Sequence, residues 1–583
     1  MQRGFNVVFQ PDGKRGSFPK GTTVLEAARS LGVDINSICG GARACGKCII
    51  KVTSGDIPEP SEIERRFLDR ESLESGYRLA CILEIADDLW VTVPKESRTG
   101  TQRLQTEGLM TEVAVSPMVS KRLSDTGVDV LYGGEVVRHL DAADAELLGF
   151  AVDIGSTKLA GYLMDLTNGV VLSVATAMNP QIPYGEDIIS RITFAIMKPE
   201  NNRILHETLR RGVEQLLEEA CAEAGKPVDD VYEVVLVGNT AMQHFILGSD
   251  VHPLSRSPFK PVSLEHRDLP PETLNLAPNA RVHVPPLIAG FVGADCIAAN
   301  LATEVYKSSE MCFLMDIGTN TEIVVGSKNH MVACSCASGP AFEGAHIRCG
   351  MRAASGAIEG VWIDDSLEPR IKVIDDAEPV GVCGSGLIDI LSEMLRKGII
   401  DSTGRFNQID HPRLLQRDGV KEYVVAWSHE SGLDEDISIT QLDIRELQKG
   451  KAAIFSGSYI ALRQLGLEPD MIDHVYIAGA FGTYINRESA VNIGMIPEFK
   501  QTAIEQVGNA AGTGARMILL SREAREDAKK IREKVEYIEL ATHPGYNKAY
   551  IDALMFPHRD LSYFPKTTRK LERYGWVKGK LHR

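Results

Sequence analysis

The sequence has 583 residues, which is long enough to bury more than one hydrophobic core, so several domains are expected. Acidic residues (79) outnumber basic ones (63), and the formal charge of −16 argues against a general nucleic-acid-binding protein. No apolar run is long enough to span a bilayer, and the opening MQRGFNVVFQ lacks the apolar core of a secretion signal. These features predict a cytoplasmic protein whose partners include neither nucleic acid nor membrane.

Residues 1–94 are predicted to form a separate α+β module. The segment GFNVVFQPDGKRGSFPKG alternates apolar and polar residues around a Pro-Asp-Gly turn, which predicts a β-hairpin. The next segment, TVLEAARSLG, predicts a helix, because Thr23 and Glu26 have the spacing of a capping box and Gly32 is a typical stop residue. A cysteine-rich loop, the strand-like CIIKVTSG and a second strand pattern over residues 82–93 follow.

The cysteines of this module are spaced as metal ligands. Four of the eleven cysteines in the chain lie here, at Cys39, Cys45, Cys48 and Cys81. Four thiolates are what a [2Fe–2S] cluster requires, and Gly40, Gly41 and Gly46 let the backbone approach its sulfides closely. A structural zinc site and ordinary buried thiols are the alternatives, although zinc usually takes two short-spaced ligand pairs. The loop also nearly matches a phosphate-binding loop, but no strand-to-helix transition surrounds it.

The order of hairpin, helix, cysteine loop and strands resembles the β-grasp fold of [2Fe–2S] ferredoxins. The first two cysteines are separated by five residues, as in the adrenodoxin-like subgroup, where plant-type ferredoxins have four. This resemblance implies one cluster held by the four cysteines.

The remainder of the chain is predicted to be one long α/β body built on a duplication. Residues 95–108 are small and polar and predict a linker, residues 109–147 a small middle region, and residues 148–583 the body itself. The sequence around Asp153 reads strand, glycine turn, strand, hairpin turn, strand, and the sequence around Asp316 repeats that order. Two such β-meanders, each opening on Asp-Ile-Gly, predict a two-lobed fold with one copy in each lobe.

Each copy carries groups suited to a magnesium-bound nucleotide. Asp153 and Asp316, at the ends of buried strands, can hold Mg²⁺ directly or through water. Gly155 and Gly318 allow backbone amides to approach phosphate oxygens. Further donors are the side chains of Ser156, Thr157, Thr319 and Asn320. Glu322 is a candidate for orienting the attacking water, and the alternative is a strand carboxylate with no catalytic task.

The two hairpins resemble the phosphate motifs of the ATPase fold shared by actin, sugar kinases and Hsp70 chaperones (the ASKHA fold). Two further glycine-rich turns fit that resemblance, and their residues are Gly384, Ser385, Gly386, Gly479, Ala480, Phe481 and Gly482. The first turn opens a helix, and the second follows a strand at the place of the family's adenosine motif. Any one such turn is equally well explained by packing, but the order phosphate, phosphate, adenosine favours ATP binding.

Taken together, the two parts resemble the reductive activators of corrinoid-dependent enzymes, in the branch with an N-terminal [2Fe–2S] domain. The resemblance rests on the motifs above and on residues 179–192, 237–248, 337–358 and 539–558. It implies an ATP-dependent transfer of an electron from the cluster to Co(II) of a docked corrinoid protein, which restores methyl-accepting Co(I). A low-potential electron donor is the second implied partner, and the family favours a homodimer.

Two other functions use similar parts. An activator of 2-hydroxyacyl-CoA dehydratases has the same ATPase fold, but it carries a [4Fe–4S] cluster that bridges a dimer, whereas the ligands here lie within one N-terminal module. A small-molecule kinase with a redox-sensing module would transfer a phosphoryl group to a metabolite and need no reductant. The sequence contains no motif for such an acceptor.

Overall fold

The computed structural model describes residues 4–10, 13–31, 33, 35, 41, 43, 46–94, 97, 113–124, 127–141, 146–479, 485–499 and 504–573. Six β-sheets formed within these ranges divide the chain into an N-terminal module, a small middle sheet and two α/β lobes. None of the helices in the same ranges combines the length and the apolar character needed to cross a membrane.

The N-terminal module is a five-stranded sheet, ordered β2-β1-β5-β3-β4, with helix α1 packed on it. Its elements are β1 (Phe5–Gln10), β2 (Lys14–Phe18), α1 (Val24–Ser30), β3 (Ile49–Ser54), α2 (Glu64–Phe67), α3 (Arg70–Glu74), β4 (Tyr77–Leu79) and β5 (Leu89–Thr92). Helix α1 begins with the predicted capping box, in which the Thr23 hydroxyl accepts the Glu26 N–H and the Glu26 carboxylate accepts the Thr23 N–H. The predicted stop residue, Gly32, lies outside the described residues.

The strand pattern over residues 82–93 forms a strand only at its end. Before Leu89 the backbone bonds to the start of helix α1 instead of a neighbouring strand: the Val24 N–H donates to the Leu83 carbonyl, and the Ile85 N–H donates to the Thr22 carbonyl, at 2.9 and 2.8 Å. Leu83 and Ile85 are buried. The alternating apolar residues before Leu89 therefore indicate burial against helix α1 and not pairing in the sheet.

The first lobe and the middle sheet lie next along the chain. The middle sheet consists of β6 (Val119–Ser124), β7 (Gly127–Tyr132) and β8 (Glu135–Leu140). The strands of the first lobe are β9 (Leu148–Ile154), β10 (Lys158–Asp165), β11 (Val171–Met178), β12 (Val231–Gly238), β13 (Arg267–Leu269) and β14 (Arg281–Val284). Its helices are α4 (Ile188–Met197), α5 (Pro199–Ala224), α6 (Thr240–Ile246), α7 (Pro271–Leu274) and α8 (Ala294–Thr303).

The second lobe is larger because it carries two additional three-stranded sheets. Its main-sheet strands are β15 (Cys312–Ile317), β16 (Thr321–Ser327), β17 (His330–Cys336), β24 (His474–Ala478), β25 (Ile504–Gly508) and β26 (Val535–Tyr537). The additional strands are β18 (Ala357–Ile363), β19 (Pro369–Val373), β20 (Gly381–Val382), β21 (Leu414–Arg417), β22 (Val420–Ala426) and β23 (Ile437–Thr440). Its helices are α9 (Gly384–Arg396), α10 (Gln441–Gln464), α11 (Arg487–Asn492), α12 (Ala510–Leu520), α13 (Arg522–Lys534), α14 (Tyr546–Ala553) and α15 (Pro565–Arg573).

The two main sheets share one topology, as the duplication predicts. In each, an antiparallel meander is extended by parallel strands beside its first strand, in the orders β11-β10-β9-β12-β14 and β17-β16-β15-β24-β25. The first strands, β9 and β15, are almost wholly apolar, as a strand covered on both faces requires. Each ends at its Asp-Ile-Gly turn, so both turns open towards the space between the lobes.

Helix α12 joins the lobes, because it follows β25 of the second lobe yet packs on α8, β9 and β12 of the first. The two helices approach so closely that a Cβ at Gly514 would lie 2.0 Å from the carbonyl oxygen of Ala298. Only glycine fits at that contact. The lobes therefore share a packed apolar core rather than a flexible connection.

A buried ion pair holds the N-terminal module together near Cys81. The Glu64 carboxylate accepts hydrogen bonds from Arg78 Nε at 2.9 Å, Arg78 Nη2 at 3.1 Å and the Leu79 N–H at 3.2 Å. Glu64 and Arg78 are 0% and 2% exposed. Burial by itself would raise the pKa of Glu64, but the hydrogen bonds from Arg78, Ser61 and Leu79 outweigh it and hold that pKa below its ordinary 4.5.

We expect Glu64→Gln to destabilise this module by roughly 3 kcal/mol, because it leaves the Arg78 guanidinium buried without its charge partner. Since the folded pKa is lowered, the wild-type pair stabilises the fold above about pH 4.5 and this contribution is lost as the pH falls through the folded pKa. Urea-dependent hydrogen exchange of the amides of β1 to β5 measures both effects. Glu59→Gln, at an exposed pair with Arg65, is the control; an equal loss in both variants would contradict the assignment.

Candidate functional site

A cavity of about 230 Å³ lies between the two lobes, and both Asp-Ile-Gly turns line it. The predicted nucleotide-binding residues that line it are Asp153, Gly155, Ser156, Thr157, Asp316, Gly318, Thr319, Asn320, Glu322, Gly384, Ser385 and Gly479. Gly386 is buried in the first turn of α9 and does not line the cavity. Ala480, Phe481 and Gly482 lie outside the described residues.

Four carboxylates line this cavity: Asp153, Asp295, Asp316 and Glu322. Burial raises the pKa of Asp153 to about 6, against a hydrogen bond from Asn509 that lowers it. Burial, with the charges of Asp295 and Asp153, raises the pKa of Asp316 to about 8. The pKa values of Asp295 and Glu322 are raised by burial first and then by neighbouring carboxylates. No lysine or arginine of the described residues forms an ion pair with any of the four.

The threonines of the two turns meet across the cavity. Thr157 Oγ1, from the first lobe, and Thr319 Oγ1, from the second, are 3.2 Å apart. Both hydroxyls donate to the carboxylate of Glu343, Thr157 to Oε2 at 3.1 Å and Thr319 to Oε1. The Glu343 carboxylate therefore occupies the position that the sequence analysis predicts for a phosphate group.

Two cationic side chains, those of Lys158 and Arg352, also line the cavity. Nη1 of Arg352 is buried, and within the described part of the chain it has no hydrogen-bond partner. An unsatisfied buried guanidinium N–H is costly, and phosphate oxygens are the acceptors that arginine binds best. The cavity lining thus offers carboxylates suited to a divalent cation and donors suited to phosphate.

Sequence reasoning missed several residues of this site. Asp295 lies in the first turn of α8, Glu343 follows β17, and Asn509 caps α12 while donating to Asp153 Oδ2 at 3.0 Å. Asn509 is recognisable in the sequence as a helix cap, because an asparagine there precedes a small-residue helix. Its hydrogen bond to Asp153 depends on the packing of α12 against the first lobe, and no local sequence pattern predicts that packing.

The cysteine loop lies at the start of β3. Cys48 and Cys81 are 1% and 5% exposed, and the Ala80 N–H donates to the Cys48 carbonyl at 2.8 Å, which places the two cysteines close to one another. Gly46 has a left-handed φ of 66°, and a Cβ there would lie 2.5 Å from the Phe67 ring. Cys39 and Cys45 lie outside the described residues. Among the residues that the structure describes, no three or more metal-binding side chains form a group that could hold a metal ion. Two close buried thiols beside a glycine-lined loop fit the predicted cluster.

Comparison with protein families defines the class of protein. A "2Fe-2S iron-sulfur cluster binding domain" matches residues 9–85, the "RACo middle region" matches residues 148–308, and the "C-terminal domain of RACo the ASKHA domain" matches residues 310–568. The chain is thus a [2Fe–2S] domain joined to an ASKHA body, which confirms the two folds and the cluster predicted from the sequence. The region that this family calls its middle is the first lobe.

Individual relatives narrow the class further. The chain is 31% identical over 577 residues to corrinoid activation enzyme RamQ of Eubacterium limosum, covering 91% of this chain and 96% of that one. It is 24% identical over 443 residues to the [Co(II) methylated amine-specific corrinoid protein] reductase of Methanosarcina barkeri, covering 70% and 77%. The solved structure of a reductive activator for corrinoid,iron-sulfur protein superposes with a TM-score of 0.72 and 32% identity, over 96% of this chain and all of that chain (100%). The chain therefore belongs to the RACo family of corrinoid-protein activators.

The carboxylate cluster makes a prediction about stability. Because folding raises the pKa of Asp316 from 3.8 to about 8, the nucleotide-free folded protein holds a proton that the unfolded chain has lost, and its stability falls as the pH rises between those values. We expect Asp316→Asn to raise the free energy of unfolding at pH 8 by about 1 kcal/mol or more, with a smaller gain at pH 5.

Thermal denaturation at the two pH values, without nucleotide or divalent cation, measures this gain. Asp410→Asn, which replaces an exposed aspartate, is the control and should change stability at neither pH. A loss of stability in Asp316→Asn at pH 8 would mean that this carboxylate is a structural element of the lobe instead.

Proposed function

We propose that this chain is an ATP-dependent reductive activator that passes one electron from its [2Fe–2S] cluster to Co(II) of a corrinoid protein, restoring the Co(I) form that accepts methyl groups. The observation that carries the proposal is the union, in one chain, of the buried Cys48–Cys81 pair with a two-lobed cleft lined by carboxylates and by donors suited to phosphate. Corrinoid-protein activators that align over nearly the whole chain support it.

ATP has a thermodynamic task in this reaction. When bound, a [2Fe–2S] cluster supplies one electron, near −400 mV in plant-type centres. For a one-electron transfer, each 59 mV or so by which the acceptor potential lies below the donor lowers the equilibrium constant tenfold. A low-potential acceptor would remain oxidised unless a conformational change favours its reduced form, and ATP can drive such a change by binding one conformation better than the other.

The residues of the cleft divide between the cation and the phosphates. Asp153 and Asp316 are proposed to hold Mg²⁺, whose hard oxygen ligands they supply. The side chains of Ser156, Thr157, Thr319 and Asn320, with the backbone at Gly155 and Gly318, are proposed to bind phosphate oxygens. Gly384, Ser385 and the segment at residues 479–482 are proposed to bind the nucleoside, whereas Gly386, predicted with them, lies behind the cavity lining in α9.

Glu322 is proposed to orient the attacking water. Its carboxylate lines the cavity and accepts a hydrogen bond from Ser335 Oγ at 3.0 Å. The neighbouring carboxylates Asp295 and Asp316 add to the burial that raises its pKa. A divalent cation held by the proposed ligands would offset that repulsion and favour the ionised form of Glu322. This dependence ties its function to an occupied cleft.

The partner is a corrinoid protein, as it is for the relatives named above. A low-potential electron donor is proposed as a second partner, because the cluster must be reduced again after each transfer. Cys39 and Cys45 are proposed to complete the ligand set of Cys48 and Cys81. A homodimer and a cytoplasmic location are proposed on the family resemblance alone.

An anaerobic spectroscopic assay tests the proposal. The purified protein is mixed with a low-potential reductant and a Co(II) corrinoid protein, and visible spectra are recorded with and without MgATP. We expect the Co(I) band only with both protein and MgATP. Cys48→Ser should abolish it by removing a cluster ligand, and Asp316→Asn should lower its rate of appearance by roughly a hundredfold or more while leaving the cluster spectrum intact.

Cys221→Ala, which removes a buried thiol of helix α5, is the control and should retain full activity. Formation of Co(I) by Cys48→Ser at the wild-type rate would rule out the cluster as electron source. Failure of the wild type with several corrinoid proteins would favour the other functions considered for the sequence.

Iron analysis separates those functions. We expect two irons per chain and the electron paramagnetic resonance spectrum of a reduced [2Fe–2S] cluster, since four cysteines of one module can hold one such cluster. Four irons per dimer in a single [4Fe–4S] cluster would instead indicate a dehydratase-type activator. Phosphoryl transfer to a metabolite without reductant would indicate a kinase.

A further inference from the structure

The N-terminal module touches the second lobe through the cysteine loop itself. Lys47, the residue before Cys48, donates from Nζ to the carbonyl oxygens of Ile347 at 3.1 Å and Arg348 at 3.4 Å. The Arg348 N–H donates in turn to Asp443 Oδ1 at 2.8 Å, at the start of helix α10. Lys47 therefore contacts a loop of the second lobe that is itself hydrogen-bonded to the start of helix α10.

A second contact joins the module to the first lobe. Arg29, in the last turn of helix α1, donates from Nη2 to the Pro183 carbonyl, and its guanidinium lies 5.9 Å from the centre of the Tyr184 ring. Arg29 also borders the cysteine loop, since a Cβ at Gly41 would lie 3.8 Å from both of its terminal nitrogens. Two cations of the module, Arg29 and Lys47, thus contact different lobes.

Glu343 bridges the lobes at the cleft between them. It belongs to the second lobe, and it accepts the hydroxyl of Thr157 from the first lobe together with that of Thr319. A phosphate group bound by the two threonines would compete for the same hydroxyl protons and repel the carboxylate. The cavity, about 230 Å³, is also smaller than the roughly 300–1,000 Å³ typical of ligand pockets. A phosphate group that takes both hydroxyl donors would therefore break the Thr157–Glu343 hydrogen bond.

The segment that follows Glu343 is the one that holds Lys47. Its two ends close on each other, because a Cβ at Gly344 would lie 2.5 Å from the Met351 N and one at Gly350 would lie 2.2 Å from the Gly344 carbonyl. Residues 344–350 thus form a closed loop. The loop is preceded by Glu343 and followed by Arg352, both of which line the cavity.

We propose that nucleotide binding in the cleft and docking of the N-terminal module across the two lobes exclude one another. MgATP displaces Glu343, shifts the 344–350 loop, and removes the carbonyl oxygens that hold Lys47. The module is then released, and its cysteine loop becomes available to a redox partner. This inference rests on the proposed function, because it requires that the cleft bind a nucleotide. Coupling between two binding events is reciprocal, so loss of docking must strengthen nucleotide binding by the same factor by which nucleotide weakens docking.

Affinity measurements test the reciprocity. Arg29→Ala combined with Lys47→Ala removes both contacts, and Lys20→Ala combined with Arg70→Ala removes two exposed cations of the same module as the matched control. Iron content confirms that each variant retains its cluster. We expect calorimetry with MgATP or a non-hydrolysable analogue to give about fivefold or more tighter binding for the docking variant and unchanged binding for the control.

Lysine labelling tests release in the wild-type chain. Half-buried Lys47 should be acetylated several-fold faster when the analogue is bound, while exposed Lys20, the internal reference, keeps its rate. Glu343→Gln, whose neutral amide repels phosphate less, should show the faster Lys47 labelling at lower analogue concentrations. If the wild type binds the analogue but neither the Lys47 rate nor the affinity of the docking variant changes, the inference is overturned and the proposed function stands. If no variant and no wild type binds nucleotide, the proposed function fails and the inference fails with it.

Discussion

Repulsion among four carboxylates in one cavity is the constraint on which the functional structure depends. The matched positions of Asp153 and Asp316 at the ends of β9 and β15 bring two of them together, and Asp295 and Glu322 add two more. Burial and mutual repulsion raise their pKa values, so the folded protein keeps protons that an exposed carboxyl would lose. A packed protein core gains nothing from such a set of carboxylates, and the Mg²⁺ proposed to bind there would offset their repulsion.

The donors in the cleft have the opposite character. Thr157, Thr319 and Arg352 offer donor groups, and the Glu343 carboxylate accepts from both threonines. This carboxylate belongs to the second lobe and so links the two turns across the cleft. A phosphate group bound by the threonines would compete with Glu343 for the same hydroxyl donors.

The N-terminal module contacts both lobes of the cleft. Arg29, in helix α1, and Lys47, beside Cys48, reach different lobes. An electron carrier held in this way has Lys47, the neighbour of the predicted ligand Cys48, against the second lobe. A cleft that governs release of the module would allow electron transfer in only one nucleotide state, which is the property required of ATP-dependent reduction.

The sequence by itself determined the parts of this protein, and the tertiary structure decided how they meet. The cysteine spacing, the capping box at Thr23 and the two Asp-Ile-Gly meanders are local patterns, because metal ligation, helix capping and hairpin pairing act over short stretches of chain. Asp295, Glu343 and Asn509 carry no such pattern, and they reach the cleft through the packing of α8, the 344–350 loop and α12. Lys47 shows the difference most clearly: its sequence context resembled a phosphate loop, but its partners are carbonyl oxygens of a distant segment, since side-chain contacts across lobes are set by packing and not by neighbours in sequence.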